Sequence, residues 1–209
     1  MQTKYLILGG GPAGAWAIRG IRQEDQDGKI IIVGSEPYRT YSLPLLTKGY
    51  IQGRVAEHAL YLVKEDFYDK NGAFFIKGKR AAGADLKERR AILDDATEIN
   101  YEKLLISTGG RARKFHIPGG ESGGVYYLRT LDDSNQIKKA AVSARQAVVI
   151  GGSFIGIELA VALGEIGIQT KLVMLEKYVW QALIPESIGN YLMEKLVEGG
   201  VAIFPNERV

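Results

Sequence analysis

Two glycine clusters are the parts of this sequence best suited to chemistry. Gly9-Gly10-Gly11-Pro12-Ala13-Gly14 follows a short apolar run, and Gly151-Gly152-Ser153-Phe154-Ile155-Gly156 follows another far downstream. In a turn of this spacing the first glycine permits a tight strand-to-helix reversal, the second lets a pyrophosphate approach the backbone, and the third lets helix and strand pack closely. Free N–H groups at the start of the next helix, and the positive end of its dipole, then favour an anion. Gly9, Gly11 and Gly14 fill these places in the first cluster, with Pro12 and Ala13 between them. Gly151 and Gly156 fill the outer places of the second, with Ile155 beside them, but Ser153 occupies the middle place, where a side chain would crowd a phosphate.

An acid follows each cluster after a second apolar run: Glu36 in the first case, Glu176 in the other. A carboxylate there can accept hydrogen bonds from ribose hydroxyls, and Glu176 would repel the 2′-phosphate of NADP, so the second cluster favours NADH over NADPH. Lys177, a flexible cation next in sequence, softens that discrimination. The plainer alternatives are a glycine-rich turn with a surface glutamate and a βαβ turn that holds no ligand.

The elements that must position these residues repeat. Residues 5–8, a helix to about Glu24 and residues 29–33 predict β-α-β, closed by Gly34, Ser35 and Pro37; residues 147–150, a helix to about Ile166 and residues 170–175 predict it again. Between them lie a predicted helix over 64–71 and strands at 74–77, 91–94 and 104–107. Thr130 and Asp133 suit a capping box that opens a helix to about Ala144. Ile188, Leu192 and Leu196 mark one face of a further helix, Gly199-Gly200 stops it, and residues 201–204 offer a last strand. The expectation is an α/β protein with two Rossmann-like parallel-sheet nucleotide-binding units, residues 1–112 and 113–209, the second incomplete because it reaches only βαβαβ.

Composition removes other classes. The charge excess of +3 is dispersed, which argues against nucleic acid as a partner. With no cysteine, a structural disulfide, a thiolate metal site and thiol redox chemistry are excluded, and His58 and His116 alone suggest no metal centre. No apolar run approaches the roughly 18 residues of a membrane span, and residues 1–4 lead into a strand without signal-peptide character, so a cytoplasmic protein is expected.

Several further stretches carry a resemblance. Asn100-Tyr101-Glu102 leads to Leu104-Leu105-Ile106-Ser107-Thr108-Gly109-Gly110; residues 150–158 run from Ile150 through the second glycine cluster to Glu158; and Tyr41-Ser42-Leu43-Pro44-Leu45-Leu46-Thr47-Lys48 forms a third segment. With the two glycine clusters, these make the chain similar along its whole length to the flavoprotein reductases with two dinucleotide-binding domains. Within them it most resembles the branch of ferredoxin reductases, rubredoxin reductases and apoptosis-inducing factor.

The resemblance implies FAD on the first unit and NAD on the second, with Ala81, Thr108, Gly109 and Arg113 joining the FAD contacts. It implies an ion pair between Lys48 and Glu158 beside the isoalloxazine, where a buried lysine would favour negative charge on the reduced ring. Two departures stand out: Leu43 replaces an arginine placed near the FAD in relatives, and relatives continue through a longer second domain and a C-terminal domain. The implied reaction is hydride transfer from NADH to the flavin, followed by electron delivery to a small iron–sulfur or rubredoxin-type protein, a quinone or oxygen. The lack of cysteine sets aside the disulfide-reductase subgroup. Other readings are a truncated or subunit-type nucleotide-binding module without turnover, an interaction role, and assembly as a homodimer.

Overall fold

The computed structural model describes residues 1–209, which divide into two compact units, each drawing on two stretches of chain.

Unit one comprises Met1–Ser42 and His58–Gly110. It contains β1 (Gln2–Leu8), α1 (Pro12–Glu24), β2 (Ile30–Gly34), the one-turn helix α2 (Phe67–Lys70), β3 (Ala73–Lys77), β4 (Ala81–Asp85), β5 (Arg90–Leu93) and β6 (Glu98–Ile106). The sheet order is β3-β2-β1-β6-β5-β4. β1 pairs in parallel with β2 on one side and β6 on the other, whereas β5 pairs antiparallel with β4 and β6.

β2 reads as an unbroken apolar run because both of its faces are covered. Ile30 and Ile32 pack with Ala15 and Ile18 of α1, while Ile31 and Val33 pack with Leu6, Leu8, Ala91 and Leu93 on the opposite side.

Two expectations change here. The helix over 64–71 shrinks to Phe67–Lys70, since the Phe67 N–H already closes a turn onto the Lys64 carbonyl and Gly72 takes a left-handed φ of 55°. β4 carries no period-two apolar signal, being an exposed hairpin strand with a register shift between Ala81 and Gly83.

A polar knot ties the end of α1 to β1. Asp25 takes an ion pair from Lys4 at 2.7 Å, the Tyr5 hydroxyl at 2.9 Å and the backbone N–H of Gly28 at 2.8 Å. The Lys4 ammonium, followed by the Gly28 and Tyr5 donors, holds the Asp25 carboxyl far below the usual carboxylate range. A depressed folded-state pKa gives stability that is present above the unfolded value and lost as pH falls toward the folded one. Asp25→Asn should therefore destabilise the protein at neutral pH, and its deficit against wild type should shrink below about pH 4. Denaturant midpoints followed from pH 7 to pH 2 would show this; a deficit that stays constant would remove Asp25 from acid sensitivity.

Unit two comprises Leu43–Glu57 and Arg111–Val209. Its elements are α3 (Leu131–Ala141), β7 (Gln146–Ile150), α4 (Phe154–Glu165), β8 (Gln169–Val173), α5 (Glu186–Glu198) and β9 (Ala202–Phe204), with a parallel sheet in the order β7-β8-β9. The capping box at Thr130 and Asp133 forms, with each side chain bonded to the other's backbone N–H. α3 stops at Ala141, three residues short of the expected end. Along α5 the apolar stripe holds only at its later end: Leu196 is buried and Leu192 partly so, but Ile188 is 50% exposed.

Residues 43–57 fall within the stretch that the sequence places in the first domain, yet they pack with the second core. Ile51 lies among Ala160, Leu163, Leu172 and Val201, Ser134 Oγ donates to the Leu46 carbonyl at 3.1 Å, and Lys138 sits 4.3 Å over the Tyr50 ring. These pairs are remote in sequence, so no local pattern announces them. No helix is long and apolar enough to cross a membrane.

Candidate functional site

The first glycine turn follows β1 directly. Gly9 has φ of 129°, and a Cβ there would lie 2.1 Å from the Ser107 carbonyl oxygen, so only glycine fits both the backbone and the neighbouring 107–109 turn. Gly14, in the first turn of α1, presses on the Gly9 carbonyl, which an added Cβ would meet at 2.1 Å. Gly11 differs: nothing lies within 4 Å of where its Cβ would stand. It caps α1 with no side-chain hydrogen bond, Pro12 supplies the first helical residue, and Ala13 is exposed. The helix therefore presents unsatisfied N–H groups to open space, which fits a pyrophosphate.

Side chains distant in sequence hold this turn. Thr40, 1% exposed, donates its hydroxyl to the Gly10 carbonyl at 2.7 Å and lies 2.9 Å from the Tyr68 hydroxyl, which donates to it because the threonine proton is already engaged. Glu36, beyond β2, accepts the Tyr41 hydroxyl at 2.7 Å, which orients its carboxylate. Thr108 is exposed, Gly109 has φ of 67°, and Ala81 opens β4 packed against the cluster around Leu6 and Val33.

The second turn repeats the geometry in unit two. Gly151 has φ of 110°, and a Cβ on Gly156 would meet the Gly151 carbonyl oxygen at 2.0 Å. Ser153 caps α4, its Oγ accepting from the Gly156 N–H at 3.5 Å, so the side chain engages one of the donors that an anion at this helix end would use. That bond is long and leaves the helix end able to exchange it for an anion. Phe154 and Ile155 follow, both exposed, and the Phe154 ring lies 4.4 Å from that of Trp180. Glu176 stands exposed beyond β8, its carbonyl accepting the Asn206 N–H.

Glu158 projects from α4 onto residues 43–57. One carboxylate oxygen accepts the Thr47 hydroxyl and the other lies 3.4 Å from Lys48 Nζ. The pair implied by the resemblance is thus present within unit two, but Lys48 is 53% exposed instead of buried, because it follows the 3₁₀ turn Pro44–Thr47 at the surface. Arg113 is exposed and lies outside any helix or strand.

No pattern in the sequence assigns a role to Thr40, Tyr41, Thr47 or Tyr68. Their partners are five to 111 residues away, and an isolated hydroxyl carries no spacing signal.

Two glycine turns of one geometry, each following a parallel strand and opening a helix, define a dinucleotide-fold α/β protein. The chain belongs to the pyridine nucleotide-disulphide oxidoreductase family, whose model matches residues 3–209. It is 31% identical over 200 residues to the ferredoxin–NAD(+) reductase component of the 3-phenylpropionate/cinnamic acid dioxygenase of Photorhabdus laumondii, covering 96% of this chain and 50% of that protein. It is also 31% identical over 205 residues to the NADH-rubredoxin oxidoreductase of Clostridium acetobutylicum, 98% of this chain and 53% of that one. Its structure is similar to the reductase in a covalent putidaredoxin reductase–putidaredoxin complex, with a TM-score of 0.91, 28% identity, and coverage of 99% of this chain and 50% of the solved one. The chain spans about half the length of the curated relatives it matches.

Proposed function

We propose that this chain handles the nucleotides of an FAD-dependent NADH oxidoreductase that passes electrons to a rubredoxin- or ferredoxin-type protein. One observation carries the reading: the same strand, positive-φ glycine, helix start packed on that glycine, and carboxylate occur twice, at residues 8–36 and 150–176, the first helix end open and the second capped by Ser153. Relatives with matching names, a ferredoxin reductase component and an NADH-rubredoxin oxidoreductase, support the acceptor class.

In this reading residues 1–112 supply most of the FAD site and residues 113–209 the NADH site. Gly11, Pro12 and Ala13 offer the α1 N–H groups to the FAD diphosphate, and Glu36, oriented by Tyr41, accepts from the ribose. Ala81, Thr108, Gly109 and Arg113 complete the FAD contacts. In the second unit Gly151, Ser153, Ile155 and Gly156 receive the NADH diphosphate, and Glu176 takes its ribose. The bound flavin supplies two-electron redox chemistry that no side chain here offers. Lys48 and Glu158 form the ion pair that the resemblance associates with flavin chemistry, and Thr47 fixes the glutamate's other oxygen.

The visible spectrum of the purified chain, before and after NADH is added without oxygen, tests this. A yellow protein that bleaches is expected. A colourless chain that binds neither adenine nucleotide overturns the proposal, and a colourless one that binds them without turnover points to a nucleotide-binding module.

Glu176→Gln should weaken NAD binding about tenfold, the size of a lost charge-assisted hydrogen bond. Titration calorimetry would measure it, and an unchanged affinity would free Glu176 from the ribose role.

A further inference from the structure

The cation beside the ribose carboxylate is engaged elsewhere. Lys177 follows Glu176 at the end of the β8 segment, yet its ammonium lies 2.7 Å from Glu186, the first residue of α5. The loop between them is anchored. The Lys177 N–H donates to Gln181 Oε1 at 2.9 Å, Tyr178 lies so close to Gly189 that a Cβ there would meet its ring at 2.2 Å, and Val179 is fully buried.

The opening turn of a helix repels a cation, because its free N–H groups and dipole present positive charge. Lys177 occupies that place only because Glu186 supplies a carboxylate there, and a first-turn acid is itself favoured. The Glu186 carboxyl is lowered and the Lys177 ammonium raised by their mutual hydrogen bond and attraction. Remove the carboxylate and the ammonium loses its reason to stay. Its tether keeps it next to Glu176, where the 2′-position of an adenosine ribose would lie.

We propose that Glu186 is a specificity-determining residue: by holding Lys177 against the start of α5 it withholds the cation that would otherwise accept a 2′-phosphate, and so preserves discrimination against NADP-type nucleotides. This rests on the reading of Glu176 as the ribose acceptor. Glu186 acts through Lys177 and is a positioning residue, without contact to the nucleotide.

The test measures binding of 5′-AMP and adenosine 2′,5′-bisphosphate to the full chain by calorimetry at low salt, for wild type, Glu186→Gln, Lys177→Met and the double variant. Both side chains are at least half exposed, so the substitutions leave the core untouched. Glu186→Gln should tighten the bisphosphate about three- to fivefold, the upper range expected of one freed surface cation, with 5′-AMP affinity little changed. In the Lys177→Met background the same change should have under about twofold effect, as coupling through Lys177 requires. Equal gains in both backgrounds would mean that Glu186 acts only through its own charge, and no gain in either would mean no restraint at all; each overturns the proposal. If wild type binds neither adenine compound, it is the reading of the glycine turns as nucleotide sites that fails.

Discussion

Gly14→Ala should unfold the first nucleotide site, lowering stability by about 3 kcal/mol or more and abolishing flavin retention. The added methyl would stand 2.1 Å from the Gly9 carbonyl oxygen, and neither atom can yield. The obstacle is backbone, and Gly9 is fixed in turn by its φ of 129° and by the Ser107 carbonyl behind it. Gly156→Ala meets the same conflict at 2.0 Å and should do equal damage in unit two. Gly11→Ala is the informative contrast: with φ of −77° and open space around it, the folded chain accepts a methyl at a cost within about 1 kcal/mol. Flavin affinity should nonetheless fall, since the methyl intrudes where a diphosphate approaches. Urea unfolding and flavin fluorescence separate the two effects. Equal stability losses for Gly11→Ala and Gly14→Ala would refute the division of roles.

Ile51→Ala should cost about 2–4 kcal/mol, as expected for a large aliphatic side chain removed from a packed interior. Ile51 is 2% exposed and belongs to the core of α4 and β8, although more than sixty residues separate it from α3 (Leu131–Ala141) and those elements. Hydrogen exchange should therefore quicken in α4 and β8, while amides of β2 keep their protection. Loss of protection confined to β2 would place residues 43–57 with the other core.

How far the sequence carries the argument depends on the range of the interaction. The two βαβ units, their glycines, the capping box at Thr130 and the stop at Gly199 are local, and their signals lie within a few residues. β4 escapes because Ala81-Ala82-Gly83-Ala84-Asp85 buries too little to alternate. Within the candidate site, Glu36 and Glu176 can be read from spacing, whereas the Tyr41 and Thr40 hydroxyls cannot. The Lys48–Glu158 pair can be read only through resemblance, since its members lie in separate stretches of chain. Ser153 shows the limit of motif reading: its position in the glycine cluster does not announce that its side chain caps its own helix.

The detached position of residues 43–57 has a temporal consequence. During synthesis they emerge long before Ser134 and Glu158, their partners 88 and 111 residues onward. At translation speeds of about 5–20 residues per second, this segment waits roughly 5–20 s for the surface it covers. Closing so large a loop also places the contact late in folding, where non-local pairing is slow. Leu46 and Ile51, both buried in the finished fold, are thus apolar side chains of the nascent chain whose cover arrives only once α4 has been made.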